Sequence, residues 1–255
     1  TVGEMGEFPL IERIAKAIER KGLAAPTAGG FSLQLGIGDD AAAWTLGSGT
    51  EIVTTDTMVE GVHFTQATMS WTDVGWKLWA ANVSDVVSMG AVPLVGIVTL
   101  GTPATLEMSA IARLYEGMVD ACRHYGTLIA GGDIVNSREV FVTVALYGVC
   151  EGELLRRDVA RPGDAVGVSG ALGGSNGGLR LLRDGRPTPD GLATAHRRPT
   201  PRVATGLELR AAGVTGAMDV SDGLVADLAK LCRASGVGAR VDRDIELHAE
   251  VQIVG

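Results

Sequence analysis

Cysteine is scarce in this chain of 255 residues, and the three present, Cys122, Cys150 and Cys232, are odd in number and show no CxxC spacing. That pattern excludes a disulfide framework and gives no support to a zinc site, so a reduced compartment, the cytoplasm, is expected. No apolar run is long enough to span a bilayer, and the first residues show no basic start, apolar core or small-residue cleavage site, so secretion is not expected either. Basic residues are outnumbered, 22 Lys and Arg against 30 Asp and Glu, for a formal net charge of −8. Such a surface argues against nucleic acid or an anionic membrane as partner, and an anionic small substrate would need metal ions to bridge it. Also missing are GxxxxGK[ST], a kinase-type catalytic loop, HExxH and GxSxG, which removes the common phosphate-binding and hydrolase machineries.

What is abundant is glycine, 36 residues against a usual share of about 7%, which implies many tight turns and close backbone approaches. Among these turns the stretch Leu35-Gly36-Ile37-Gly38-Asp39-Asp40-Ala41-Ala42 stands out, because two adjacent carboxylates follow flexible glycines. A solvated Asp-Asp turn explains one such pair. It does not explain the recurrence of acids beside Gly, Ser or Thr at Thr54-Thr55-Asp56, Ser84-Asp85, Gly131-Gly132-Asp133 and Asp219-Val220-Ser221-Asp222. Mg²⁺ takes a few carboxylates together with water and substrate phosphate oxygens, so dispersed single aspartates suit a shared polyvalent cation site.

Hydrophobic residues at 46% and charged residues at 20% give an ordinary globular balance, and the length allows two domains. Leu10, Ile11, Ile14, Ala15 and Ile18 predict an amphipathic helix ending near Gly22, and Ala41–Leu46 and Glu51–Thr55 predict a hairpin turning at Gly47-Ser48-Gly49 that delivers Asp56. Residues 71–89 predict a helix with Asn82 and Asp85 on one face, with Asp73 as a helix-start residue. Its Trp71, Trp76 and Trp79, with Lys77 the one basic residue among them, read as packing residues. A strand over 93–100, a helix over 106–125, a strand over 127–130 running into Gly131-Gly132-Asp133, and a strand over 140–149 follow. The polar run Arg156 to Asp164, closed by Pro162-Gly163, predicts a domain boundary. We therefore expect an N-terminal domain over 1–150 and a C-terminal α+β domain over 151–255. The latter would hold a strand over 165–169, a helix to about Arg183 after the glycine-rich 170–178, a Pro-rich loop through 186–201, a helix to Ala212, and a helix through Ala234 capped by Ser221 or Asp222. The loop Gly170 to Ser175 could bind an anion through its N–H groups, a weak signal by itself.

In order and spacing, Gly6-Glu7-Phe8 with Leu10-Ile11, Leu35 to Ala41, Thr55-Asp56-Thr57-Met58-Val59-Glu60-Gly61-Val62-His63-Phe64, Ala81-Asn82-Val83-Ser84-Asp85 with Met89-Gly90-Ala91, Gly131-Gly132-Asp133 and Asp219-Val220-Ser221-Asp222-Gly223-Leu224 resemble the thiamine-monophosphate kinase family. That family shares an ATP-binding superfamily with aminoimidazole ribonucleotide synthetase and selenophosphate synthetase. The resemblance implies a two-domain PurM-like fold, with an α/β N-terminal domain whose mixed sheet pairs into a homodimer barrel and an α+β C-terminal domain. It also implies ATP- and Mg²⁺-dependent phosphorylation of thiamine monophosphate by direct transfer, with no protein nucleophile. Asp40, Thr54, Thr55, Asp56, Asp85, Asp133, Asp219 and Asp222 are the metal ligands it implies. Tyr115, Gly132, Asp133, Arg157 and Ser221 are the nucleotide contacts, and His63 is the substrate contact. Read alone, Tyr115 is a helix-packing residue, His63 a structural histidine and Arg157 a solvated charge.

Within the superfamily, aminoimidazole ribonucleotide synthetases carry a DGVGTK-like segment where this chain has Asp56 to Phe64, with His63 in place of the lysine. Selenophosphate synthetases use an early Cys or selenocysteine, whereas Cys122 is the first cysteine here. The family's Gly-Gly-Glu-Asp-Tyr-Glu-like segment and a later aromatic, which hold the ring side of the substrate, are not matched by Gly255, so an incomplete C-terminal domain is expected. The alternatives are another superfamily member, such as an amide or formyl ligase, and a non-catalytic Ca²⁺- or nucleotide-binding scaffold. The scaffold fits less well because the tight D-x-D-x-D-G loop is absent.

Overall fold

A computed structural model describes residues 7–35 and 43–241 of the chain. Gly36 to Ala42 lie outside the described residues, and with them Asp40 and the acidic turn singled out above.

The described N-terminal half contains α1 (Glu7–Arg20), β1 (Ser32–Leu35), β2 (Ala43–Thr45), β3 (Thr50–Val59), α2 (Trp71–Ser88), β4 (Val92–Thr102), α3 (Met108–Tyr125), β5 (Leu128–Asn136) and β6 (Phe141–Cys150). Four strands form one mixed sheet in the order β3-β6-β4-β5, in which β6 runs antiparallel to both neighbours and β4 parallel to β5. The hairpin expected at Gly47 to Gly49 does not form. β2 pairs with β1 and β3 pairs over its whole length with β6, because β6 offers ten consecutive partners and the three-residue β2 cannot. Gly131-Gly132-Asp133 also differs from expectation, lying inside β5 rather than in a turn after it.

Alternation along the strands sorts the two faces of the sheet. Val142, Val144 and Leu146 of β6, with Val98 and Leu100 of β4, are buried against α2 and α3 together with Val74, Leu78, Trp79, Leu114 and Met118. The two helices cross where side chains are absent: a Cβ on Gly75 would lie 2.0 Å from the Leu114 carbonyl, and one on Gly117 1.9 Å from that of Thr72. The helix start is built as a capping box, with Asp73 N–H donating to Ser70 Oγ at 3.2 Å and Ser70 N–H donating to Asp73 at 3.4 Å. Trp79 is fully buried and its Nε1 donates to Thr127 Oγ1 at 2.8 Å, as packing rather than stacking requires.

After Cys150 the described residues form four helices, α4 (Gly174–Arg183), α5 (Asp190–Arg197), α6 (Val203–Ala211) and α7 (Leu224–Ser235). Residues 165–169 form no strand; Val166 and Val168 are exposed, and among the described residues there is no neighbouring strand to complete the ladder that an alternating pattern needs. The Pro-rich stretch expected to be loop contains α5, whose Leu192 is buried. The C-terminal half docks on α2. Arg198 Nε pairs with Asp73 at 2.7 Å, Trp76 Nε1 donates to the Pro199 carbonyl at 3.1 Å, and a Cβ on Gly206 of α6 would meet the Val87 carbonyl at 2.6 Å.

Candidate active site

β3 carries Thr54 and Asp56 on the face turned to α2, since Asp56 lies opposite the buried Val144. Thr54 Oγ1 donates to Asp85 on α2 at 2.6 Å. From the preceding residue of the same helix, Ser84 Oγ donates to Asp219 at 3.1 Å, which ties the segment ahead of α7 to the first half. Arg157 is placed by its neighbour: Arg156 N–H donates to the Thr215 carbonyl at 2.9 Å, and Ala217 N–H donates to the Arg156 carbonyl at 3.2 Å.

Three carboxylates from three distant segments therefore feel one another. Burial and the charge of Asp219 hold Asp56 above the ordinary carboxylate value, against a smaller opposing pull from His63. Asp85 is raised by burial and by Asp56, partly offset by Thr54 and Arg157. Asp219 is raised by burial and by Asp85, partly offset by Ser84 and Arg157. Among the described residues none of the three forms an ion pair. Among the described residues no group of three or more His, Cys, Asp or Glu side chains closes around one point as a protein cage could. Half-buried oxygen donors of like charge, short of cations and loosely spaced, suit a hard divalent ion whose other positions are filled by water and phosphate. They do not suit a closed site made of protein alone.

His63, in the exposed turn after β3, accepts the Val59 N–H on Nδ1 at 3.1 Å. This assigns the proton of the neutral ring to Nε2, leaving an outward donor. The turn before α7 is held differently from expectation. The cap position is Gly223, and neither Ser221 nor Asp222 caps the helix. Instead buried Asp227, from within α7, accepts the N–H groups of Ser221, Asp222 and Gly223 on one oxygen at 2.9, 2.9 and 3.0 Å. Lys230 lies 2.8 Å from Asp227 Oδ1 and 2.5 Å from Asp222 Oδ2. Sequence reasoning missed Asp227 and Lys230; the available signal was an acid one turn inside a helix that starts on a glycine, with a lysine three residues on.

Other site candidates are not gathered with these. Thr55 and Asp133 point to the opposite, outer face of the sheet: Thr55 is exposed and pairs with Ala145, while Asp133 pairs with Thr99, which in turn pairs with Thr143. Three interstrand steps of about 4.8 Å separate β3 from β5, so these two sites stand roughly 14 Å apart. Gly132 has a local reason to be glycine, since a Cβ would lie 1.9 Å from the Val98 carbonyl. Tyr115 is 5% exposed within the core, and burial raises its hydroxyl pKa; the packing role is the one its position gives it.

A mixed sheet backed by two helices, with acids converging from both halves, defines the class. Residues 38–150 match the N-terminal domain of AIR synthase related proteins and residues 161–254 match their C-terminal domain, and the chain has this two-domain PurM-like fold. The chain is 38% identical to the thiamine-monophosphate kinase of Aquifex aeolicus, over 92% of its own length and 72% of the relative's. It superposes on the thiamine-monophosphate kinase of Stenotrophomonas maltophilia K279a with a TM-score of 0.80 and 35% identity, covering 96% of this chain and 77% of the other. AaThiL in complex with AMPPCP and TMP matches with a TM-score of 0.76 and 33% identity, covering 100% and 78%. The chain belongs to the thiamine-monophosphate kinase family.

Proposed function

We propose that this protein transfers the γ-phosphoryl group of ATP to the phosphate of thiamine monophosphate, giving the diphosphate. The observation that carries the reading is the set of mutually raised carboxylates, Asp56, Asp85 and Asp219, assembled from both halves of the chain beside Arg157 and His63. Family relatives named for this activity, and the AMPPCP- and TMP-bound AaThiL, support it. Asp56, Asp85 and Asp219 with Thr54 would hold Mg²⁺, with Asp40, Thr55, Asp133 and Asp222 completing the proposed set. Bound there, Mg²⁺ would bridge phosphate oxygens and neutralise their charge. Arg157, Gly132 and Ser221 are assigned to the nucleotide phosphates, and His63 Nε2–H to the acceptor phosphate. The acceptor oxygen is already ionised, so the chain needs neither a general base nor a nucleophile; its task is to align two anions in line and screen them from each other.

ADP release with thiamine monophosphate, formylglycinamidine ribonucleotide or selenide offered separately tests this reading. Turnover with the first alone is expected, and turnover only with another would replace the reading with the corresponding superfamily activity. Incubation with labelled ATP alone should leave His63 unlabelled.

The outer sheet face supports a homodimer. Val53 is 59% exposed and Val135 38%, on a face that also carries exposed Thr55 and Thr57, whereas sheets with parallel pairing are usually covered on both sides. Pairing of two such faces would also supply what one chain lacks, a route for Gly132 and Asp133 to reach a site with Thr55. Light scattering through a dilution series tests this; a monomer that binds nucleotide fully would overturn it.

A further inference from the structure

The turn that carries Ser221 and Asp222 is held by a device outside the proposed ligand set. Asp227 is 1% exposed, yet its charge is not spent on a metal or a substrate. One oxygen takes three consecutive backbone N–H groups, from Ser221, Asp222 and Gly223, and the other takes Lys230. A single acceptor shared by three successive donors fixes the direction of the chain through all three residues, and so fixes where the Asp222 side chain leaves the turn. The Lys230 ammonium is shared in the same way, between buried Asp227 and the 63%-exposed side chain of Asp222.

We propose that Lys230 is a built-in counter-ion that occupies the Asp222 carboxylate until a divalent cation takes it, with Asp227 as the positioning residue that holds the turn and lysine in register. This rests on the proposed role of Asp222 as a metal ligand. The geometry makes the exchange simple. Lys230 keeps its bond to Asp227 when it lets go of Asp222, so no charge is stranded in a buried place and the turn does not move. Among the described residues, the other carboxylates proposed for the metal, Asp56, Asp85, Asp133 and Asp219, have no lysine or arginine in ion-pair contact. Asp222 is thus the member whose affinity for metal is set by competition inside the protein.

The test is calorimetric titration of Mg²⁺ into the protein saturated with AMPPCP, for the wild type, Lys230→Gln, Asp222→Asn and the double variant. Removing the competing cation should tighten Mg²⁺ binding by about twofold to fivefold, the range an exposed ion pair supports. Asp222→Asn should weaken it, and in that background Lys230→Gln should change nothing further. If Asp222→Asn weakens Mg²⁺ binding but Lys230→Gln leaves it unchanged or weakens it, the counter-ion role is overturned while the metal reading stands. If Asp222→Asn has no effect on Mg²⁺ binding, the metal assignment of Asp222 falls and the counter-ion role falls with it. A thermal melt of Lys230→Gln without metal supplies an independent readout. Lys230→Gln should lower the transition more in the wild type than in the Asp222→Asn background, where only the bond to Asp227 is lost, and equal shifts in the two backgrounds would overturn the role.

Discussion

The aspartates of this molecule fall into two groups that the same residue type does not distinguish. Asp56, Asp85 and Asp219 are half-buried against one another, and their pKa values are raised by burial first and by their neighbours second. Asp227 and Asp73 are lowered overall: burial pushes each up, but Lys230 and the backbone N–H groups outweigh it at Asp227, and Arg198 and Ser70 outweigh it at Asp73. The second group holds the fold together, whereas the first is assembled at a cost to the metal-free protein. Carboxylates that are held together at a cost to the fold are candidates for binding an external cation.

The largest expected effect comes from breaking the second group. Asp227→Ala leaves three adjacent N–H groups without their acceptor and Lys230 without its buried partner. A loss of about 2–4 kcal/mol is expected from thermal or urea unfolding. A loss below about 0.5 kcal/mol would show that water replaces the carboxylate and that the turn is not held by it.

Relieving the first group should do the reverse. Asp85→Asn keeps the shape and an acceptor for Thr54 but removes one of the repelling charges, so the metal-free protein should gain up to about 1 kcal/mol near neutral pH. Joint stabilisation by Mg²⁺ and ATP, about 2.7 kcal/mol at a hundredfold excess over Kd in the wild type, should fall. The pH dependence has a definite sign. The folded form binds protons at Asp56, Asp85 and Asp219 more tightly than the unfolded chain does. Stability of the metal-free protein should therefore rise as pH falls from neutrality through their raised pKa values, and level off near the ordinary 3.8. Asp73 and Asp227 act below that window: their contributions are present above 3.8 and are lost as pH falls through their lowered values. Urea midpoints between pH 4 and 7 should slope less in Asp85→Asn than in the wild type, and equal slopes would remove Asp85 from the repelling set.

The smallest change sharpens the contrast. Arg198→Gln removes a partly buried ion pair to Asp73 and a cation over the Trp76 ring at 5.6 Å, for an expected loss of about 0.5–1 kcal/mol. The joint stabilisation by Mg²⁺ and ATP should stay at its wild-type value, since this pair lies at the start of α2 and away from the carboxylate set. A fall in that coupling would show that docking of the C-terminal half sets the site.

By itself the sequence determined the elements whose signals are local. Periodicity located α2, α3, β4 and β6 to within a few residues, Asp73 marked a helix start, and the apolar tryptophans belonged to packing. The recurrence of acids beside Gly, Ser and Thr was legible along the chain, but not that Asp56, Asp85 and Asp219 lie near one another while Thr55 and Asp133 face the other way. Tertiary structure decided what depends on partners far along the chain. β3 found β6 instead of β2, because a ten-residue ladder outcompetes a three-residue one. The 165–169 stretch stayed outside any described sheet for want of a neighbouring strand. Pleat and register turned Thr55 and Asp133 to the face opposite Asp56, which a list of spacings along the chain cannot express. Only the folded chain brought Asp227 and Lys230 to the turn at Ser221, since whether a carboxylate waits for a metal or is already satisfied depends on which charges and N–H groups the fold places around it.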